Sequence, residues 1–191
     1  MSSPPNDLDP QHRIALAYAP KSARAAWLAL LAFEQRMADT ARPGREPIMI
    51  QLRLAWWRDR LAEDGTNWPV SEPLLAQLVS WQGRHGALGA LIDGWEAMIV
   101  GEDGGTQLCE ARVKAHLALA DLLGVTALEP VERMARDLAT GKGDVSPGPP
   151  VARPMRPLAV LRVLARRERR DRRSSPFADL LRVMRAGLLG F

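Results

Sequence analysis

The chain has 191 residues, 47% hydrophobic and 25% charged, which suits one globular domain with a core of its own. Its single cysteine, Cys109, excludes an intramolecular disulfide and a multi-thiolate metal site, and no apolar run approaches the roughly 18 residues of a membrane span. The net charge of +4 is carried almost wholly by arginine, a side chain suited to bidentate contact with phosphate or carboxylate; composition does not choose among a nucleic acid, a diphosphate and a solvated surface.

Residues 1–6 read as a flexible tail without the basic-then-apolar order of a secretion signal, so cytoplasmic residence is the default expectation. Asp7 or Asp9 suits the cap of a short first helix reaching about Tyr18, with Pro10 in its first turn. Lys21 to Thr40 reads as a long helix, apolar around most of its circumference and therefore buried. Its polar exceptions Arg24, Gln35 and Asp39 project within about a sixth of a turn of one another. Pro43, Gly44 and Pro47 then interrupt the chain.

The next helix, I-M-I-Q-L-R-L-A-W-W-R-D-R-L from Ile48 to Leu61, is the most distinctive. On a helical projection Ile48, Leu52, Ala55 and Trp56 form one apolar stripe and Ile50, Leu54, Trp57 and Leu61 a second. Two apolar faces predict two packed neighbours and a central position. Asp59 falls within the first stripe, where a carboxylate is costly unless paired. A network is therefore expected around Asp59, Arg24, Trp56 and Trp57, with Arg53 and Arg60 projecting between the tryptophans.

Glu63 to Pro69 is a polar turn. From Pro73 onward Leu74, Leu78, Trp81, His85, Leu88, Ile92, Trp95 and Ile99 alternate spacings of four and three, an apolar seam. Gly83 and Gly86 beside His85 predict a break there, with His85 a partly buried helix-end residue bonding a carbonyl. His12, His85 and His116 are far apart without paired ligand spacing, so a metal held by imidazole nitrogen is not expected. Gly101 to Thr106 is a loop, Gln107 to Leu123 a helix stopped by Gly124, and Glu129 to Thr140 a weaker helix. A proline- and glycine-rich connector occupies 141–157. A helix resumes from Met155 to about Arg170, and Pro176 to Leu189 closes the chain. No strand pattern persists, so 7–191 reads as a single all-α domain.

The segments L-D-P-Q-H-R-I-A-L-A-Y-A-P, A-W-L-A-L-L-A-F-E and L-R-L-A-W-W-R-D-R-L, followed by A-L-I-D-G-W-E and R-P-L-A-V-L-R-V-L-A-R-R, resemble in order those of the squalene/phytoene synthase family. This is the head-to-head branch of the all-helical isoprenoid synthases. The likeness is densest from Leu8 to about Ile99 and is nearest to the branch that includes a mitochondrial complex I assembly factor. It implies a shortened isoprenoid synthase fold.

The resemblance also implies a chemistry to test. In that family two aspartate-rich segments on facing helices hold Mg²⁺ ions that clamp prenyl diphosphates and help the diphosphate leave. Mg²⁺ is a hard ion that needs several oxygen ligands. With the family phenylalanine at Phe33, the acidic positions fall on Ala38, Asp39 and Arg42, of which only Asp39 is acidic. Met98 stands where an active-site aspartate is expected. The second motif is best matched by M-A-R-D-L-A-T-G, with Asp137 as its first acid and Gly141 in place of the second. One acid per cluster is too few for a set of magnesium ions. Asp39, Asp137 and Arg53 are the candidates for residual diphosphate or Mg²⁺ binding; in the other reading both aspartates partner arginines in a degenerate pocket.

Arg162 to Arg173 holds seven arginines broken among charges only by Glu168 and Asp171. Peripheral contact with an anionic membrane or with an acidic protein patch is one reading, and a solvated helix end favoured by the dipole is the other. No aromatic residues interleave and no recognition motif appears, so nucleic acid is not expected. The reading that emerges is a catalytically degenerate family member, needing no cofactor and acting by protein or ligand binding. By analogy with the assembly-factor branch it would serve a membrane respiratory complex, in the cytoplasm or peripherally at the inner membrane. The alternative is an active prenyl transferase condensing prenyl diphosphates with Mg²⁺.

Overall fold

The computed structural model describes residues 8–101, 103–141, 149–169 and 176–191. The predicted tail at 1–6, residues 142–148 of the predicted connector, and Arg170, Arg172 and Arg173 of the basic run lie outside the described residues. Among the described residues every regular element is helical, so the domain is all-α, and no helix is long and apolar enough to cross a membrane.

Helix α1 (Pro10–Ala17) starts behind Asp9, whose carboxylate accepts the Gln11 N–H at 2.8 Å; Pro10 sits where its missing donor costs nothing. After Pro20, α2 (Lys21–Thr40) buries Trp27, Leu30, Phe33 and Met37. Its first turns are less enclosed than the apolar pattern predicts, because Lys21, Ser22, Arg24 and Ala25 face solvent. Two indole N–H groups reach α2 or leave it: Trp81 donates to the Ala26 carbonyl at 2.9 Å, and Trp27 to the Pro154 carbonyl at 2.8 Å. Buried tryptophan is tolerated where its single donor is satisfied in this way.

Helix α3 (Pro47–Ala62) buries Ile50, Leu54, Trp57 and Leu61, the second of its two apolar stripes. The first stripe is exposed: Ile48 is 56% and Leu52 58% accessible. The expected central position is therefore corrected. Helix α3 lies at the surface, packed through one face on α2 and on α5 (His85–Val100), and no described element covers the other.

The seam from Leu74 to Ile99 is divided as predicted. Helix α4 (Pro73–Leu78) passes through a 3₁₀ turn at Val79–Trp81, Gly83 takes φ +80°, and α5 begins afresh at His85. The His85 Nε2 bonds the Leu78 carbonyl at 2.9 Å across that break. Helix α6 (Thr106–Leu122) starts where the Asp103 carboxylate accepts the N–H groups of Gly105 and Gln107, at 2.9 and 2.6 Å. At Gly94, α5 comes so near α6 that an added Cβ would lie 2.7 Å from the Leu108 Cα.

Helix α7 (Leu128–Thr140) ends on Gly141, at φ +71°, a conformation that a side chain would strain. After a 3₁₀ turn at Arg153–Met155, α8 (Arg156–Arg169) begins inside the predicted connector, with Pro157 in its first turn, the one helical position where proline loses nothing. Helix α9 (Pro176–Leu189) then packs on α8, while α8 also packs on α7 and on α1.

Candidate functional site

The α3 surface holds three of the residues singled out in the sequence. Met49, Leu52, Arg53 and Trp56, with Arg36 of α2 and Glu72, line an open groove of about 460 Å³ whose floor includes Trp57. Arg36 donates to Glu72 at 2.8 Å and its guanidinium lies 5.8 Å from the Trp57 ring centre. Arg60 lies 5.9 Å from the ring of Trp56. Arg53 projects into solvent at the groove and has no ion pair among the described residues.

The predicted network of Arg24, Asp59, Trp56 and Trp57 does not form. Asp59 and Arg24 are both exposed, neither has an ion pair among the described residues, and only the two tryptophans touch, with ring centroids 5.0 Å apart. The physical reason is the orientation of α3: Asp59 shares the stripe that faces water, where a carboxylate needs no partner. Arg58 instead takes up the acids of A-L-I-D-G-W-E, bonding Asp93 at 2.8 Å and Glu96 at 2.6 Å. These hydrogen bonds raise its already high pKa.

The two candidate acids are each committed to arginine. Asp39, in the last turn of α2, pairs with Arg42 at 2.7 Å. Asp137 of α7 lies 3.4 Å from Arg162 and 3.5 Å from Arg166, both on α8. Arg162 is 5% exposed, and its pKa is lowered first by burial and then by Arg166, against the pull of Asp137. No group of three or more His, Cys, Asp or Glu residues able to hold a metal occurs among the described residues. Carboxylates bonded to guanidinium groups do not make a donor set for Mg²⁺, which wants free oxygens in octahedral array.

A second polar constellation was not foreseen. His12 of α1, Glu34 of α2, and Arg112 and His116 of α6 line one cavity of about 200 Å³, walled by Leu30, Leu31, Leu138 and Leu161. Arg112 donates through Nε to Glu34 at 3.2 Å and stacks its guanidinium 5.4 Å from the Trp95 ring centre. His116 bonds the Arg112 carbonyl through Nδ1 at 2.8 Å. A carbonyl only accepts, so the proton of the neutral ring sits on Nδ1 and Nε2 carries the lone pair. The pKa values of both histidines are lowered, chiefly by burial, with Glu34 pulling the other way and Arg112 adding to the depression.

Glu34 Oε1, His12 Nδ1 and His116 Nε2 are buried and have no hydrogen-bond partner among the described residues. The cavity thus combines two imidazoles and an ion pair within apolar walls, with three unmet polar atoms. Five helices contribute to it, so no single-helix periodicity could reveal it. The signal available was Glu34, an acid one turn beyond Leu30 on the face that α2 buries. Cys109 is half-buried and donates its thiol to the Ala139 carbonyl at 3.4 Å.

Comparison with protein-family models, with characterised proteins and with solved structures returns no match to this chain.

Proposed function

We propose that the protein acts by binding, as a catalytically degenerate helical domain of the squalene/phytoene synthase type that serves the assembly of a membrane complex. The observation that carries this reading is the uncovered face of α3. Ile48, Met49, Leu52 and Trp56 lie in the open beside Arg53, a large apolar and aromatic surface edged by arginine of the composition that protein interfaces favour. The groove it borders is shallow and open, as suits a partner's side chains.

Two further features support the absence of prenyl transfer. Asp39 and Asp137 spend their charge on arginines, so the metal grip of the family has no counterpart in them. The cavity of His12, Glu34, Arg112 and His116, at about 200 Å³, falls below the roughly 300–1,000 Å³ of ordinary ligand sites and is too small for two prenyl chains.

The test is affinity purification of the full chain from native membranes of its source, beside a Leu52→Asp, Trp56→Ala double variant. The reading expects a defined membrane complex to be retained by the parent and lost by the variant. Formation of any C30 or C40 hydrocarbon from farnesyl or geranylgeranyl diphosphate with Mg²⁺ would overturn it and install the transferase.

A further inference from the structure

Helix α9 carries a second uncovered face, of different chemistry from that of α3. Phe177, Leu180, Leu181, Met184 and Leu188 are between 42% and 68% exposed. Their spacing of three and four residues places them on one stripe along the 14-residue helix. The opposite side of the helix is the one that packs: Val183 and Ala186 are buried, and Asp179 is enclosed by Arg167 and Arg182 at 3.1 and 2.8 Å. At Gly187 an added Cβ would run into the Tyr18 ring, so α9 is seated firmly by its small residues and turns its largest ones outward.

The charge around this stripe is uneven. From Arg162 to Phe191 the sequence holds nine arginines and three acids, a net +6 against +4 for the whole chain, so the remainder is net acidic. Arg185 follows the edge of the stripe, exposed, with its guanidinium 5.1 Å from the Phe191 ring centre. Like charge opposes a second copy of the chain on this face. Helix α9 also contains no Ser, Thr, Asn, Gln or Tyr. Its face therefore offers none of the neutral hydrogen-bonding groups that a protein interface deploys every 100–200 Å² or so, only apolar area and guanidinium.

We infer that α9 docks flat on a lipid surface bearing anionic headgroups. The stripe from Phe177 to Leu188 enters the boundary between headgroups and acyl chains, while Arg185 at its edge pairs with lipid phosphate. This is the arrangement of an interfacial amphipathic helix, and arginine matches phosphate by its fork of donors. The inference extends the proposed function by supplying the chain's own route to a membrane.

Flotation of the full-length protein with vesicles of phosphatidylcholine, alone or with phosphatidylglycerol added, tests it. The parent floats with the anionic vesicles and is released by salt. Leu181→Asp and, independently, Leu188→Asp weaken binding by about tenfold. Arg185→Gln weakens it by about fivefold on anionic vesicles only. Both aspartates stand at exposed positions, and a thermal melt matching the parent's shows that at least one of them folds. No flotation with anionic vesicles, equal flotation with neutral ones, or parental binding by the folded aspartate variants overturns the inference. Capture on an acidic protein without vesicle binding overturns it as well. The outcome is separable from that of the proposed function: retention of a membrane complex through α3 stands if vesicles fail, and vesicle binding stands if no complex is retained.

Discussion

The rings of Trp56 and Trp57 meet edge to face, 5.0 Å apart at an interplanar angle of 85°, and they divide between surface and core. Trp57 is fully enclosed and packs edge-on against Phe33 at 5.6 Å, while Trp56 remains 37% exposed at the groove. Trp57→Ala is expected to cost about 3–5 kcal/mol, the usual loss for a large buried aromatic. Trp56→Ala is expected to cost less than about 1 kcal/mol yet to weaken retention of the partner. Urea titrations of the two variants, set beside the affinity purification, check both halves.

Among the described residues Asp137 is the one anionic contact of Arg162, a guanidinium almost wholly out of water. Asp137→Ala leaves that cation without its counter-charge and next to Arg166, and a loss of about 3 kcal/mol is expected. Asp137→Asn keeps an acceptor and should lose less. Equilibrium denaturation ranks the pair. If Asp137 were a free metal ligand, alanine would instead leave stability unchanged or raise it.

Acid should loosen the domain through its enclosed histidines. The folded pKa values of His12 and His116 lie below the ordinary 6.5 because burial disfavours the charged rings. The unfolded chain therefore takes up protons first, and stability present above about pH 6.5 drains away as pH falls toward the depressed folded values. His116→Asn, which can keep a donor toward the Arg112 carbonyl, should flatten the decline of Tm between about pH 7 and pH 5. An equally steep decline in the variant would remove His116 from that account.

Two glycines of α5 should respond oppositely to the same change. Gly94→Ala sets a methyl 2.7 Å from the Leu108 backbone. Overpacking of this kind costs about 1–3 kcal/mol, against at most about 1 kcal/mol gained in helix propensity. Gly89 has nothing within 4 Å of an added Cβ, so Gly89→Ala should stabilise by about 0.5–1 kcal/mol. Thermal melts of the two variants give the signs.

The helices were legible because their punctuation is local. Pro20 and the residues after it delimit Lys21–Thr40, Pro176 opens Pro176–Leu189, and Gly83 divides the seam ahead of His85. The rotation of a helix against its neighbours was not legible. Helix α3 has two apolar stripes of similar strength, and nothing within it states which one the protein buries; the choice depends on the helices it packs on, α5 and α2, where Phe33 meets Trp57. Asp59 was misread for the same reason. The cavity of His12, Glu34, Arg112 and His116 was missed because its members are up to about a hundred residues apart and meet only through tertiary packing. The pairing of Asp39 with Arg42 lay within one helical turn and could be seen, whereas that of Asp137 needed the register of α7 against α8.

The indole of Trp27 is satisfied by the carbonyl of Pro154, 127 residues further on, and α1 rests on α8. During translation α1 and α2 thus leave the ribosome long before the segment that completes them. At ordinary synthesis rates the delay is about 6–25 seconds, during which Trp27 and the inward side of α1 lack the cover of α8 and Pro154. Through that interval the nascent chain exposes apolar surface of the kind that holding chaperones bind.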